Sequence, residues 1–254
     1  MDTIKNLLII GATGQIGQVV VKEALAAGIQ VTAQTRNTER AAQLLPEETH
    51  ILRADPTDAA ALRPLLRDVE GIILTHGGDV DGRQGQSFYD VVAALLEASE
   101  DKPDTPIALM TSMGVSTVPA RYEFVAWKRR AERLVRASGR RYTIVRPGWF
   151  GYEAPGDQQI DLRQGDLLGG QPGVSIAHVA QVLLGALTAP SAARRTVELF
   201  SQAGERTTDI EAAFSPTRAD EHGVGKAILD AVEVPLGEEP AVVQEALSRF
   251  SRTA

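Results

Sequence analysis

Apolar and polar positions alternate along this chain with two periods, and the periods take turns. Short apolar runs at 4–10, 29–34, 50–53, 71–75, 107–111, 142–146 and 197–200 have the length and branched side chains of buried strands. Between them, apolar residues recur at helical spacing over 16–27, 39–45, 58–66, 86–99, 124–138 and 175–187. Gly28 stops the first of these helices, Pro46 ends the second, and Pro64 breaks the third late. Strand and helix succeed each other through short connections. This order predicts an α/β fold, a doubly wound parallel sheet with helices on both faces. Neither a repeat nor a linker divides the chain, so 1–254 reads as one domain. Two glycine-rich loops, 76–85 and 151–173, follow strands and should emerge at the carboxyl edge of the sheet, where such folds bind ligands. After Ser201 the pattern fades until 241–250, which is helical in period; that segment is a packed helix or a partly disordered tail. Substrate-side elements are expected mainly from 151–174 and 201–254.

Composition narrows the classes. A length of 254 residues suffices for one large α/β domain, and a net charge of -7 argues against broad nucleic-acid binding. The chain has no cysteine, which excludes disulfides, thiolate metal sites and cysteine nucleophiles. Its four histidines are scattered without metal-ligand spacing, so no metal is expected. No apolar run reaches the roughly 18 residues that span a bilayer, and the N-terminus lacks signal-peptide regions. The expected location is the cytoplasm, away from membranes.

The first strand runs directly into Gly11-Ala12-Thr13-Gly14-Gln15-Ile16-Gly17 and then into a helix. A side-chain-free turn lets backbone approach a pyrophosphate, whose charge sits against the helix N-terminus. Gly11, Thr13, Gly14, Gln15, Ile16 and Gly17 are therefore the expected dinucleotide contacts. The end of the second strand should meet the adenosine ribose. There the chain reads Gln34-Thr35-Arg36-Asn37, without a carboxylate. Arg36 can pair with a 2′-phosphate, which favours NADP(H) over NAD(H). Asp55, before Pro56, either accepts from the adenine amino group or caps the next helix.

These residues resemble those of the atypical short-chain dehydrogenase/reductase superfamily, close to its NmrA-like, NAD(P)H-binding branch. The likeness continues through Asp55-Pro56-Thr57-Asp58, Met110-Thr111-Ser112-Met113-Gly114-Val115 and Trp127-Lys128-Arg129-Arg130-Ala131-Glu132. It ends with Tyr142-Thr143-Ile144-Val145-Arg146-Pro147-Gly148 and covers roughly residues 4–200. The resemblance implies a Rossmann-type domain and a serine, tyrosine and lysine trio, the last two spaced Tyr-x-x-x-Lys. Ser112 matches the serine and Lys128 the lysine. Phe124 occupies the tyrosine position and has no dissociable proton.

Tyr122 is the nearest substitute donor. On one helix it would point about 120° away from Lys128, so it helps only if it precedes the helix with its ring folded inward. Pro119 allows such a late start. Lys128 falls within an apolar stripe of Phe124, Trp127, Ala131, Leu134, Val135 and Ser138. Arg129, Arg130, Glu132, Arg133 and Arg136 mostly take the other face. An inward lysine needs a partner, and ribose hydroxyls would serve. The resemblance also implies cofactor contacts at Thr75, His76 and Gly77 and at Pro147. His76 is a second possible proton donor, and water a third. Trp149 and Phe150 wall a substrate cleft or belong to the core.

Three functions fit. The first is an NADP(H)-dependent oxidoreductase of a small carbonyl or quinone-like substrate. The second is a non-catalytic NADP(H)-binding redox sensor or regulator, which Phe124 supports. The third is a sugar-nucleotide epimerase or dehydratase, whose relatives usually keep the tyrosine and carry a larger C-terminal domain. A small-molecule substrate, or none, is the expected partner, and the oligomeric state is open.

Overall fold

The structure is a computed structural model. It describes residues 4–77, 85–117, 122–166, 172–223 and 225–250. Loop 76–85 therefore lies mostly outside the described residues, as do Pro119 and part of 151–173.

The chain forms β1 (Asn6–Ile10), α1 (Gln15–Ala26), β2 (Gln30–Thr35), α2 (Thr38–Leu44), β3 (His50–Arg53), α3 (Ala59–Leu62), β4 (Gly71–Leu74), α4 (Gln86–Ala98), β5 (Ile107–Met110), α5 (Glu123–Ala137) and β6 (Tyr142–Pro147). The rest comprises β7 (Trp149–Phe150), β8 (Gln159–Arg163), β9 (Gly173–Val174), α6 (Ile176–Ala186), β10 (Arg195–Gln202), α7 (Ile210–Phe214) and α8 (Ala241–Phe250). An eight-stranded sheet has the order β3-β2-β1-β4-β5-β6-β10-β8. Its pairings are parallel except β10 with β8. The order reverses between β1 and β4, so the crevice of this Rossmann-like fold opens beyond their carboxyl ends.

Strand alternation sends residues to two cores. Leu8, Ile10, Ile72, Leu74, Leu109 and Ile144 pack under α4, α5 and α8. Leu7, Ile9, Ile73, Ala108, Val145 and Val197 pack under α1 and α6. The continuously apolar strands are thus buried on both faces.

Three expectations are corrected. Segment 151–173 is not merely a loop: it follows β7, holds β8 and leads into β9, with β8 closing the sheet edge beside β10. Ile160 and Leu162 alternate with Asp161 and Arg163, a period too short to stand out. The predicted helix 58–66 is one turn of α3 followed by a 3₁₀ turn, Arg63–Leu66, in which Pro64 sits near the start. Asp58 caps α3 by accepting from Ala60 N at 2.9 Å, so Asp55 does not fill the capping role.

The polar face of α5 is covered, because the chain after Ser201 folds back over it. Glu239 accepts from Arg129 at 2.7 Å, Arg130 at 3.0 Å and Arg133 at 3.1 Å. Glu132 is fully buried against Arg146, whose Nη2 donates to it at 2.7 Å. Arg146 also donates to Glu198 at 3.1 Å and to both oxygens of Asp230 at 2.8 Å. The C-terminal segment is therefore an ordered cover, and Val243, Leu247 and Phe250 of α8 complete the core beneath it.

Glu198 carries the clearest pH signature of this cluster. Burial pushes its carboxyl up to about 7, although Arg146 opposes the shift and Asp166 adds to it. Between about 4.5 and 7 the folded state therefore holds a proton that the unfolded state has lost. Stability should fall as pH rises through that window. Glu198→Gln keeps an acceptor for Arg146 and cannot titrate. Denaturant unfolding of parent and variant from pH 5 to 8 should show a falling stability difference, parent minus variant, of at most about 3 kcal/mol. A difference independent of pH would show that Glu198 is ionised throughout.

Candidate functional site

The site begins where β1 ends. Gly11 has φ +90°, and a Cβ there would lie 2.4 Å from His76 N, so the turn passes directly against the chain leaving β4. Gly17 closes the turn from behind: its Cβ would lie 2.2 Å from Gly11 O. Gly14 differs. It precedes α1 in extended backbone, makes no side-chain cap, and its Cβ would meet only Gly11 O, at 3.3 Å. The fold requires Gly11 and Gly17, whereas the bareness at Gly14 leaves room for a ligand at the amino end of α1.

That room is a cleft of about 460 Å³ at the carboxyl edge. Gly11, Thr13, Gly14, Arg36, Asp55, Pro56, Thr75, His76 and Gly77 line it, as do Arg40 and Ser87. Gln15 begins α1 outside that lining, and Ile16 and Gly17 are buried behind it. Arg40 was missed by the sequence reading, although it stands one turn into α2. The Asn37 side chain accepts from Arg40 N at 2.9 Å, so the cap that starts α2 also places a second guanidinium beside Arg36. Asp55 Oδ1 accepts from Thr57 N at 2.9 Å and from Thr57 Oγ1 at 2.8 Å. A larger hollow of about 810 Å³ lies near Asn6, Lys22, His50 and Arg67, by the amino ends of the strands and away from the glycine turn.

Polar atoms near the cleft fit a dinucleotide. His76 Nδ1 and Ser87 Oγ are buried and have no hydrogen-bond partner in the described chain. Unpaired buried polar atoms are costly, and ligand groups would satisfy them. His76 Nε2 lies 3.1 Å from the Phe88 carbonyl, and its ring stacks on Phe88 with centroids 4.3 Å apart. Desolvation lowers its pKa to about 4, a shift the carbonyl bond opposes and Lys128 deepens. The neutral ring donates Nε2–H to the carbonyl, so Nδ1 is an acceptor.

Ser112 and Lys128 do not line that cleft; beside it, Lys128 Nζ donates to Ser112 Oγ at 3.2 Å. The ammonium lies 4.6 Å from the centre of the Phe124 ring and 5.8 Å from that of Phe88. Burial lowers the Lys128 pKa to about 8, and Glu132 only partly offsets this. Phe88, unnoticed in sequence, joins the two halves of the site: His76 covers it from the cleft and Lys128 approaches it from α5.

The loop that carries Ser112 is clamped at both sides. Before it, Thr111 Oγ1 donates to Glu132 at 2.6 Å. After it, Asp166 accepts from Gly114 N, from Ser116 N at 2.6 Å and from Ser116 Oγ at 2.8 Å. Asp166 is fully buried, with φ 53°, and its carboxylate lies 4.0 Å from Arg146. Neither Asp166 nor Glu132 carried a sequence signal for this role.

Tyr122 immediately precedes α5, but it is 53% exposed, so its ring is not folded inward. Pro147 is buried at the end of β6, accepts from Met113 N at 3.2 Å and does not line the cleft. Trp149 and Phe150 are exposed rather than core. Among the described residues, no His, Asp and Glu group is placed to hold a metal, and no helix is long and apolar enough to cross a membrane.

Comparison with known proteins agrees with this geometry. Residues 11–190 match the NAD(P)H-binding family, and the chain belongs to it. It is 28% identical over 241 residues to Protein TIC 62, chloroplastic, of Arabidopsis thaliana, covering 81% of this chain and 37% of that protein. It is 27% identical over 167 residues to Quinone oxidoreductase 2 of Escherichia coli (strain K12), covering 64% of this chain and 55% of that one. The chain thus spans little more than a third of the TIC 62 relative. Among solved structures, a putative NAD-dependent epimerase/dehydratase from Bacillus halodurans superposes with TM-score 0.70 at 16% identity, covering 84% of this chain and all (100%) of that one. ChuY, an anaerobillin reductase from Escherichia coli O157:H7, superposes with TM-score 0.65 at 24% identity, covering 80% and 100%. Both likenesses establish the fold alone.

The three glycines should separate by experiment. Gly14→Val should keep a native circular dichroism spectrum and lose NADPH binding at least tenfold. Gly17→Val should fail to fold, because its side chain meets backbone. Undiminished binding by folded Gly14→Val, followed by calorimetry, would move the pyrophosphate away from this turn.

Proposed function

We propose that this member of the NAD(P)H-binding family is an NADP(H)-dependent oxidoreductase of a small carbonyl or quinone-like substrate. The observation that carries the reading is one continuous arrangement. A cleft of about 460 Å³ with two guanidiniums in its lining adjoins the Ser112–Lys128 pair through the stacked rings of His76 and Phe88.

The backbone of Gly11–Gly14 and the amino end of α1 would hold the pyrophosphate. Arg36 and Arg40 would take the 2′-phosphate, which NAD(H) lacks. Asp55 would face the adenine, and Thr75, His76 and Gly77 the chain between phosphate and nicotinamide. Bound NADPH supplies a hydride. The protein orients the acceptor: the Ser112 hydroxyl, fixed between the Glu132 and Asp166 clamps, donates to the substrate oxygen. Exposed Trp149 and Phe150, beyond the end of β6, suit a flat substrate. The E. coli relative named a quinone oxidoreductase supports the substrate class, and the solved NADPH complex of a quinone oxidoreductase supports the cofactor.

Phe124 favours a second reading, a binding protein that senses the NADP(H) pool without turnover. A sugar-nucleotide substrate finds less support, since Phe124 removes the tyrosine that such enzymes use. The expected compartment is the cytoplasm, although several relatives are named as chloroplastic.

Calorimetric titration should show tighter binding of NADPH than NADH. Arg36→Ala should remove most of that preference, about 1.5–3 kcal/mol for lost charge-assisted hydrogen bonds, and Arg40→Ala a smaller part. Equal parent affinities would refute the 2′-phosphate assignment. An NADPH-oxidation screen over quinones, aldehydes and ketones then separates the readings. Turnover supports the enzyme, and tight binding with no turnover supports the sensor.

A further inference from the structure

We propose that Lys128 is the proton source for reduction at this site, delivering through the Ser112 hydroxyl in place of the tyrosine that Phe124 replaces. The inference rests on the oxidoreductase reading above.

Elimination and geometry converge on it. Phe124 has no proton to give, and Tyr122 points its ring toward solvent. His76 commits Nε2–H to the Phe88 carbonyl and presents an acceptor at Nδ1. The Thr111 hydroxyl is committed to Glu132. The Ser112 hydroxyl, by contrast, accepts from Lys128 at 3.2 Å and so keeps its own hydrogen for a substrate oxygen.

The surroundings of Lys128 make its proton available. Aromatic rings of Phe124 and Phe88 face the ammonium, and their π-systems hold a cation without supplying a counter-charge. On its own helix the nearest acid is Glu132, already bound by Arg146 and Arg136. His76, from the chain after β4, is neutral, and Ser112, after β5, is uncharged. With a pKa near 8, Lys128 is protonated at neutral pH yet close to release.

The step balances. Hydride from reduced nicotinamide forms a C–H bond at the substrate carbonyl carbon, and the C=O π pair moves to oxygen. That oxygen takes the Ser112 proton, and Ser112 takes one from Lys128 Nζ, leaving a neutral amine. Water reprotonates the amine, and the nicotinamide leaves oxidised. Turnover should therefore fall as pH rises through about 8, as the ammonium disappears.

Two measurements test this. Lys128→Arg keeps a cation but cannot release a proton near neutrality. It should lower kcat at least 100-fold at saturating NADPH. Adding Phe124→Tyr to that variant should recover at least tenfold, because a phenol returns. Independently of turnover, acetic anhydride labelling of the free parent, read by mass spectrometry across pH, should give Lys128 an inflection near 8. Exposed Lys22 serves as the reference amine in the same digest. Lys128→Arg within threefold of parent kcat, or Lys128 labelling like Lys22, overturns the relay. A parent that binds NADPH and reduces nothing overturns the oxidoreductase reading itself, and the relay falls with it.

Discussion

A single buried guanidinium organises the half of the molecule where chemistry is proposed. Arg146 has no solvent exposure and is held by Glu132, Glu198 and Asp230, with Asp166 at the edge of its reach. These partners come from α5, β10, the C-terminal cover and the segment after β8. Desolvating such a group is expensive, and the arrangement is favourable only when every partner is in place. Losing Glu132 or Asp230 would cost about 3–5 kcal/mol, because the guanidinium stays buried. Because Asp230 supplies two of those hydrogen bonds, the cluster ties the C-terminal segment down over α5.

The consequence reaches Ser112 through short links. Glu132 binds Arg146 with one edge and accepts from Thr111, the residue before Ser112. Asp166 holds the amides of Gly114 and Ser116, just after it. A serine in a loop needs such support if its hydroxyl is to stay within tenths of an ångström of one direction. The positive φ of Asp166 fits this account. The backbone tolerates an uncommon conformation where its carboxylate makes several bonds at once.

Much of this molecule was legible in sequence where the relevant residues are neighbours. The glycine turn is seven consecutive residues after an apolar strand, and Arg36 lies one position past the end of β2. Each could be placed from local period and turn chemistry. Arg40 was readable too, since Asn37 signals a helix start and fixes what lies one turn later. The buried cluster was not. An amphipathic pattern says that the polar stripe of α5 faces away from the sheet, and nothing more. Whether it meets water or acids depends on Asp230, 84 residues beyond Arg146, and Glu239, 106 beyond Arg133. No local period records such a pairing. The same holds for β8, whose partner β10 follows it only after β9 and α6.

Phe124 stands where the resemblance implies a tyrosine, and it leaves the proposed proton transfer to its surroundings. A binding site alone could keep this lysine for ribose hydroxyls, so the proton-transfer role rests on what surrounds its ammonium. Here Lys128 stays inside, bonded to Ser112, while a nearby carboxylate is neutralised by two arginines. Had Glu132 been free, it would have held the ammonium firmly charged. Had the rings been polar, the cation would have been solvated. The buried cluster thus has two effects: it steadies Ser112, and it draws off the anion that would otherwise hold the Lys128 proton in place. Burial lowers the Lys128 pKa to about 8, and Glu132, already engaged by Arg146 and Arg136, offsets that shift only in part.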